Sequence, residues 1–384
     1  MEEELKRRLF TPGPTPLPEE VRLSQAREII HHRTGEFKRI LEEVEERLKY
    51  VFRTDNQVFL FTSSGTGAME AAVANLFSPG DEVLVVRGGK FGERWAEIAQ
   101  AFGMKAVPLD IGWGRALDPA RVGNKIQKKP EIKAVLTQLV ETSTGTLYDI
   151  EALGKILSET GAVLVVDAIS GLCAQPLYTD RWGVDVAIAS SQKALMTPPG
   201  LSFITISEKA WKLVENSSSP KYYWDFKKAR DDLVKFQTPY TPAISLVVAL
   251  RDSLRLIEKE GLEKVAKRHS RLAQATRKAV LAINLEILGD SPSNVLTSVV
   301  LPSKINGEKL RELMQARFGV QVAGGQGSLS GKIIRIAHLG WMDASDIIVV
   351  ISALEMSLLE LGYPVQLGRG LKAAQEILGG RRLS

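Results

Sequence analysis

A series of short apolar runs constrains this chain more than any other feature. "NQVFLF", "DEVLVV", "KAVPLD", "IKAVLTQLV", "AVLVVDA", "VDVAIAS" and "LSFITIS" are rich in Val, Ile and Leu and lack clean polar alternation. Such runs suit strands covered on both faces, the situation in a mainly parallel α/β sheet. Helical stretches separate them, among them "GAMEAAVANLF", "GERWAEIAQAFG" and "IEALGKILSETG", the last two closing on a glycine where a helix stops. From about Leu246 the pattern shifts to long helices, "SLVVALRDSLRLIEKEG" and "LEKVAKRHSRLAQATRKAVLAI", followed by the strand-like "TSVVLP", "VQVAGG" and "KIIRIAH". The expected architecture is a large, doubly wound α/β domain followed by a smaller α+β domain, and 384 residues suffice for both.

Charge and composition remove several classes of function. The net charge is +5, but basic residues mostly alternate with acidic ones, as in "EFKRILEEVEERLKY", a helix with a solvated, ion-paired face. Nucleic-acid binding needs clustered cations with interleaved aromatics; only the tail "GGRRLS" is locally basic, and it reads as a frayed terminus. The apolar runs are strand-sized, so no membrane span is expected. "MEEELKRRLF" is charged from its second residue and no apolar signal segment follows it. One cysteine, Cys173, excludes an intrachain disulfide and suits a reducing compartment, so a cytoplasmic location is expected. The four histidines show no metal-site spacing.

Ligand sites in such sheets gather at the carboxyl ends of the strands. After "QVFLF" comes "TSSGTGAME", whose Ser64 and Thr66 hydroxyls and helix-leading amides suit either a capped turn or a phosphate cradle. It is neither a Walker A loop nor a dinucleotide fingerprint. After "AVLVV" comes Asp167, a carboxylate costly to bury unpaired, hence a cap, an ion pair or a functional acid. "RGGKFGER" puts Phe91 in a glycine-rich turn, as an aromatic face or a core residue. "ETSTGTL" sets hydroxyls at another strand end, and "ASSQKALMTPPG" sets Lys193 directly after an apolar strand and before two prolines. A phosphate cradle, an aromatic face, an acid, hydroxyl donors and a strand-end lysine together match the needs of pyridoxal 5′-phosphate, which takes a lysine Schiff base and a carboxylate opposite its pyridine nitrogen.

The sequence resembles class V pyridoxal-phosphate aminotransferases of the serine–pyruvate/alanine–glyoxylate type. The resemblance is carried by Val163 to Ser207 and by "FTPGPTPLP", "SSGTGAMEAAVANL", "GGKFGER", "ETSTGTL", "QTPYTPAISL" and "IIRIAHLG". It implies a fold-type-I homodimer with shared active sites. An N-terminal segment (1–20) would line the substrate entrance, ahead of a large cofactor domain (21–256) and a small C-terminal α+β domain (257–384). By the same resemblance Lys193 is the Schiff-base lysine and Asp167 the partner of the pyridine nitrogen. Phe91 is the ring-stacking residue, where relatives often carry Trp. Ser64, Gly65, Thr66 and Gln192 bind the phosphate, and Thr142 the phenolic oxygen. Thr238 and Thr241 reach the phosphate of the neighbouring subunit. Arg335 clamps the substrate carboxylate, and Gly13 belongs to the entrance.

The implied activity is ping-pong transamination from a small amino acid, serine or alanine, to glyoxylate or pyruvate. An aspartate-type donor would want a second cation, for which Arg33 or Lys90 are the candidates. A cysteine desulfurase needs a mobile nucleophilic cysteine in the C-terminal half, and the only cysteine, Cys173, reads instead as a packed thiol. A non-catalytic scaffold would be expected to lose the lysine first. "HHR" (His31 to Arg33) is read as a polar connection between helices or as a wall of the substrate pocket.

Overall fold

The computed structural model describes residues 5–380. Residues 1–4 of the expected entrance segment and 381–384 of the basic tail lie outside them. The strands are β1 (Arg8–Phe10), β2 (Val58–Phe61), β3 (Glu82–Arg87), β4 (Lys105–Asp110), β5 (Ala134–Gln138), β6 (Val140–Glu141), β7 (Thr146–Leu147), β8 (Val163–Asp167), β9 (Val186–Ser190), β10 (Ser202–Ile206), β11 (Glu286–Ile287), β12 (Leu296–Val300), β13 (Val320–Gly324) and β14 (Ile333–Ala337).

The seven apolar runs become one seven-stranded sheet in the order β2-β10-β9-β8-β5-β3-β4. Every residue of β5, β8, β9 and β10 is buried. Successive side chains point to opposite faces, and both faces are covered. Val163 and Val165 of β8 join one core with Ala68, Met69 and Ala72 of the Gly65–Leu76 helix. Leu164 and Val166 join another with Leu41, Val44 and Leu48 of the Gly35–Phe52 helix and Leu250 of the Ile244–Glu260 helix. Each such side chain contributes about 1.5–3 kcal/mol on burial, which is why these runs carry no polar alternation. β4, at the sheet edge, is largely exposed and tolerates Pro108.

Neighbours from β9 through β4 pair in parallel, whereas β10 is antiparallel to both β9 and β2. The connection between β9 and β10, residues 191–200 and Leu201, is too short for the crossover that a parallel pair needs. Because β10 is reversed relative to both neighbours, β2 runs in the same direction as the rest. Its carboxyl end therefore opens on the same edge as those of β3, β5, β8 and β9.

A second, five-stranded sheet has the order β1-β13-β14-β12-β11. Val299, Val322, Ile334 and Ile336 of this sheet pack with Leu272 and Ala275 of the Leu262–Ala282 helix and with Val350 and Leu354 of the Ala344–Glu360 helix. β1 and β11 had no sequence signal beyond two or three residues, and β1 is supplied by the chain's beginning, paired in parallel with β13. His31 and His32 lie in the connection between the Glu19–Ser24 and Gly35–Phe52 helices. Among the described residues no helix is long and apolar enough to cross a membrane.

Candidate active site

The carboxyl edge of the large sheet collects most of the sequence candidates. β8 ends on Asp167, which is buried, 5 % exposed. Its Oδ1 accepts the Ile169 amide at 2.8 Å, a local turn bond, and among the described residues it forms no ion pair. Burial pushes the carboxyl up to about 7, against the pull of that amide; Glu141 adds to the rise, while Arg94 and Lys193 oppose it.

Lys193 follows β9 by three residues, in a turn where the Ser191 hydroxyl donates to Pro198 O at 2.6 Å and accepts the Leu201 amide at 3.2 Å. Burial pulls its amine down to about 8; the Asp167 charge resists this, and Arg335 and Arg94 reinforce it. The N-terminal segment lies directly on this lysine. Lys193 Nζ donates to Pro12 O, and the Thr15 hydroxyl donates to Lys193 O at 3.0 Å. A side chain at Gly13, with φ +113°, would collide with Lys193 Nζ, so only glycine fits there.

At the end of β2 the Gly65–Leu76 helix begins, and Ser64, exposed, makes no side-chain capping bond to it. Ser63 Oγ instead meets Ser202 Oγ at 2.7 Å, tying β2 to β10. A side chain at Gly65 would collide with Ile169, so this first turn approaches the Asp167 loop with bare backbone. Gln192 Oε1 is buried without a hydrogen-bond partner.

Phe91 is not in a loop, as the glycine-rich sequence suggested, but in the first turn of the Lys90–Ala101 helix. The Arg94 guanidinium lies 4.8 Å from its ring centroid and donates to Thr66 Oγ1 at 3.2 Å. Thr142 is buried, with its hydroxyl 2.7 Å from Ser170 Oγ. Its carbonyl accepts from Arg335 Nη1 at 2.9 Å, while Arg335 Nε donates to Gly324 O at 2.9 Å. Arg335, on β14, is 6 % exposed, and burial pulls its guanidinium down to about 10. Of its five N–H groups two are thus engaged, which leaves three, one on Nη1 and two on Nη2.

Two candidates stay apart. Thr238 Oγ1 donates to Tyr240 O at 2.7 Å and Thr241 is exposed. Their loop is tied to the end of β2, where the Ala243 amide donates to Thr62 Oγ1 at 3.1 Å. Lys90 pairs with Glu93 at 2.6 Å, and Arg33 Nη1 donates to Gln237 Oε1 at 2.7 Å beside Thr238. Cys173 is buried and its thiol is pushed up to about 12. Sequence reasoning missed Arg94, which stands one helical turn after Phe91, and Glu141, a carboxylate following an apolar run as Asp167 does.

Comparison with known proteins gives the family. The aminotransferase class-V profile matches residues 12–345. A soluble hydrogenase 42 kDa subunit of Anabaena cylindrica is 43 % identical, over 96 % of this chain and 98 % of that protein. An L-aspartate–glyoxylate aminotransferase of Paracoccus denitrificans is 36 % identical, over 96 % and 95 %. A serine–glyoxylate aminotransferase of Methylorubrum extorquens is 35 % identical, again over 96 % and 95 %. The solved ureidoglycine–glyoxylate aminotransferase of Bacillus subtilis superposes with a TM-score of 0.92 at 29 % identity, over 97 % of this chain and 98 % of that one. The fold is that of the fold-type-I transaminases, and the chain is an enzyme of the class V aminotransferase family.

Proposed function

We propose that this enzyme uses pyridoxal 5′-phosphate to move the amino group of a small amino acid, serine or alanine, to glyoxylate or pyruvate in a ping-pong cycle. The observation that carries the reading is Lys193: a half-buried strand-end amine under the Pro12–Gly13 backbone, pulled down to about 8 in the field of Asp167 and of Arg335. The residues present fit the cofactor. Gln192 Oε1 is an orphaned buried atom, the Gly65–Leu76 helix begins with a glycine at which a side chain would collide with Ile169, and Asp167 is a buried acid with no ion-pair partner among the described residues.

When bound, pyridoxal phosphate supplies an aldehyde that joins amines and a ring that accepts electrons. Ser64, Gly65, Thr66 and Gln192 would hold its phosphate, helped by Thr238 and Thr241 of the partner subunit. Phe91 would cover the ring, Thr142 would donate to the phenolic oxygen, and Asp167 would keep a proton on the pyridine nitrogen. Arg335 binds the substrate carboxylate through its remaining N–H groups and so orients Cα. Lys193 Nζ takes the proton from the substrate Cα; an amine pulled down to about 8 is neutral in a far larger fraction at physiological pH than an ordinary lysine, which suits it to that work. Pro12 and Gly13 line the approach to it.

The same reading makes the enzyme a cytoplasmic homodimer, with the entrance segment at 1–20 and the domain change at 256/257, inside the Ile244–Glu260 helix. A dicarboxylate donor is the second reading, favoured by the relative named as an L-aspartate–glyoxylate aminotransferase. Of its two candidate cations, Arg33 is the freer, since Lys90 is ion-paired. The hydrogenase in one relative's name finds no counterpart in this donor set, because the chain has a single cysteine where iron–sulfur clusters draw on several thiolates.

The test is a matrix of amino donors against keto acids, each half-reaction followed by the visible absorbance of the bound cofactor. Serine or alanine with glyoxylate or pyruvate is expected to turn over fastest, and borohydride to trap cofactor on Lys193. A colourless protein that takes up no pyridoxal phosphate overturns the proposal, and fastest turnover with aspartate selects the second reading.

A further inference from the structure

We propose that Glu141 is a positioning residue of this site: its buried carboxylate fastens the first turn of the helix that carries Phe91 to the Thr142–Ser143 turn that anchors Arg335. The proposal rests on the transaminase reading for what the site binds, and on the geometry for the anchor itself.

Glu141 closes β6 and is fully buried, yet it faces no cation at ion-pair distance among the described residues. Its partners are all donors. Oε1 accepts the Phe91 amide at 3.3 Å, the Ser143 amide at 3.1 Å and the Ser143 hydroxyl at 2.5 Å, while Oε2 accepts the Gly92 amide at 3.0 Å. Ser143 Oγ in turn accepts the Lys90 amide at 3.1 Å. The first amides of any helix lack intrahelical partners, and here the N-cap is Gly89, which has no side chain to offer them. Three successive amides are satisfied from about fifty residues away, Lys90 by the Ser143 hydroxyl and Phe91 and Gly92 by a negative group placed at the positive end of a helix.

Gly89 makes the approach possible, since a Cβ there would lie 2.6 Å from Glu141 Cδ. The other side of the anchor is the peptide between Glu141 and Ser143. Thr142 gives its carbonyl to Arg335 and its hydroxyl to Ser170. Displacing the Glu141 carboxylate therefore loosens an aromatic face and a guanidinium together, although it touches neither side chain. Burial raises the Glu141 carboxyl, its four donors oppose the rise, and its charge supports the protonated state of Arg335.

The test compares wild-type holoenzyme with Glu141→Gln, which puts an NH2 among donors, and the milder Ser143→Ala, which removes the hydroxyl that joins Glu141 to Lys90 N. Three quantities are read: amide exchange at Lys90–Gly92, the circular dichroism induced in bound pyridoxal phosphate, and KM for the amino donor. In Glu141→Gln exchange is expected to quicken, the induced band to weaken and KM to rise by about tenfold or more, the loss of one hydrogen bond to a charged group. Ser143→Ala is expected to move all three in the same direction by less. A merely structural role lowers melting temperature but leaves band and KM per folded molecule at wild-type values; that result, in whichever variant folds, overturns the proposal. Failure of both variants to fold while Glu141→Asp folds with unaltered band and KM also overturns it. A wild-type enzyme with no borohydride-trappable cofactor defeats the transaminase reading instead, and the exchange rates then judge the anchor alone.

Discussion

Replacing Arg335 by lysine keeps a positive charge in the same buried place, so it separates charge from geometry. The guanidinium holds Gly324 O through Nε and Thr142 O through Nη1, both at 2.9 Å, and its remaining N–H groups are those that the proposal assigns to a substrate carboxylate. An ammonium has three donors radiating from one atom. It cannot hold both carbonyls and still present two parallel bonds. At least one charged hydrogen bond to the substrate is then lost, worth about 1.5–3 kcal/mol. That corresponds to a fall of about 10- to 150-fold in kcat/KM for the amino donor. The assay is the single-turnover half-reaction with serine and with alanine, followed by cofactor absorbance as donor concentration is varied. Cofactor affinity and the resting spectrum are expected to stay unchanged, because Arg335 is not assigned to the cofactor. If cofactor retention falls while donor kinetics per loaded site hold, Arg335 belongs to the phosphate site and the carboxylate-clamp reasoning is refuted.

Asp167→Asn is expected to bind cofactor yet lose most transamination, since a neutral amide cannot keep the pyridine nitrogen protonated. Its cofactor-free form is expected to melt higher than wild type at pH 8: a carboxyl raised to about 7 by burial weakens the fold progressively as pH climbs from its unfolded value through 7, and the amide does not titrate. Equal melting temperatures at pH 8, or near-native turnover, would contradict the assignment. His338 is fully buried and burial pulls it down to about 3, so its contribution is complete above about 6.5 and declines as pH falls towards 3. Between about pH 4 and 5.5 the slope of unfolding free energy against pH should therefore be shallower in His338→Gln than in wild type by nearly 1.4 kcal/mol per unit; coincident slopes in urea titrations refute this. Mixing Lys193→Ala chains with Thr238→Ala/Thr241→Ala chains should restore activity after subunit exchange, because one of the two sites in a mixed dimer then has an intact lysine and intact threonines. No recovery despite confirmed exchange and a clearly impaired threonine variant rules out the shared site.

The central strands were legible because burial on both faces leaves its mark in every residue: β8 reads "VLVVD" and is buried throughout. Strand direction was not written in composition. The reversal of β10 follows from the shortness of the link after Ser190, a property of connection length. β1 and β11 could not be read, since three or two residues give no period and their pairing is decided by distant strands. Lys193 and Asp167 were legible as polar residues ending apolar strands. Glu141 sends the same signal, but its partners are backbone amides, which no sequence pattern displays. The meeting of Arg94 with Thr66 joins two helices from different βα units and becomes visible only once the strands are ordered.

The parallel pairing of Arg8–Phe10 with Val320–Val322 has a consequence for how the molecule is made. Arg8–Phe10 leave the ribosome roughly three hundred residues before their strand partners. Pro12, Gly13 and Thr15, which follow that strand and close over Lys193, are held in place by the same late event. Contacts so distant in sequence form slowly and late. A nascent or truncated chain that ends before β13 has no partner for β1 and leaves the lysine without its seated cover, so the Lys193 amine is enclosed only once β13 has been translated.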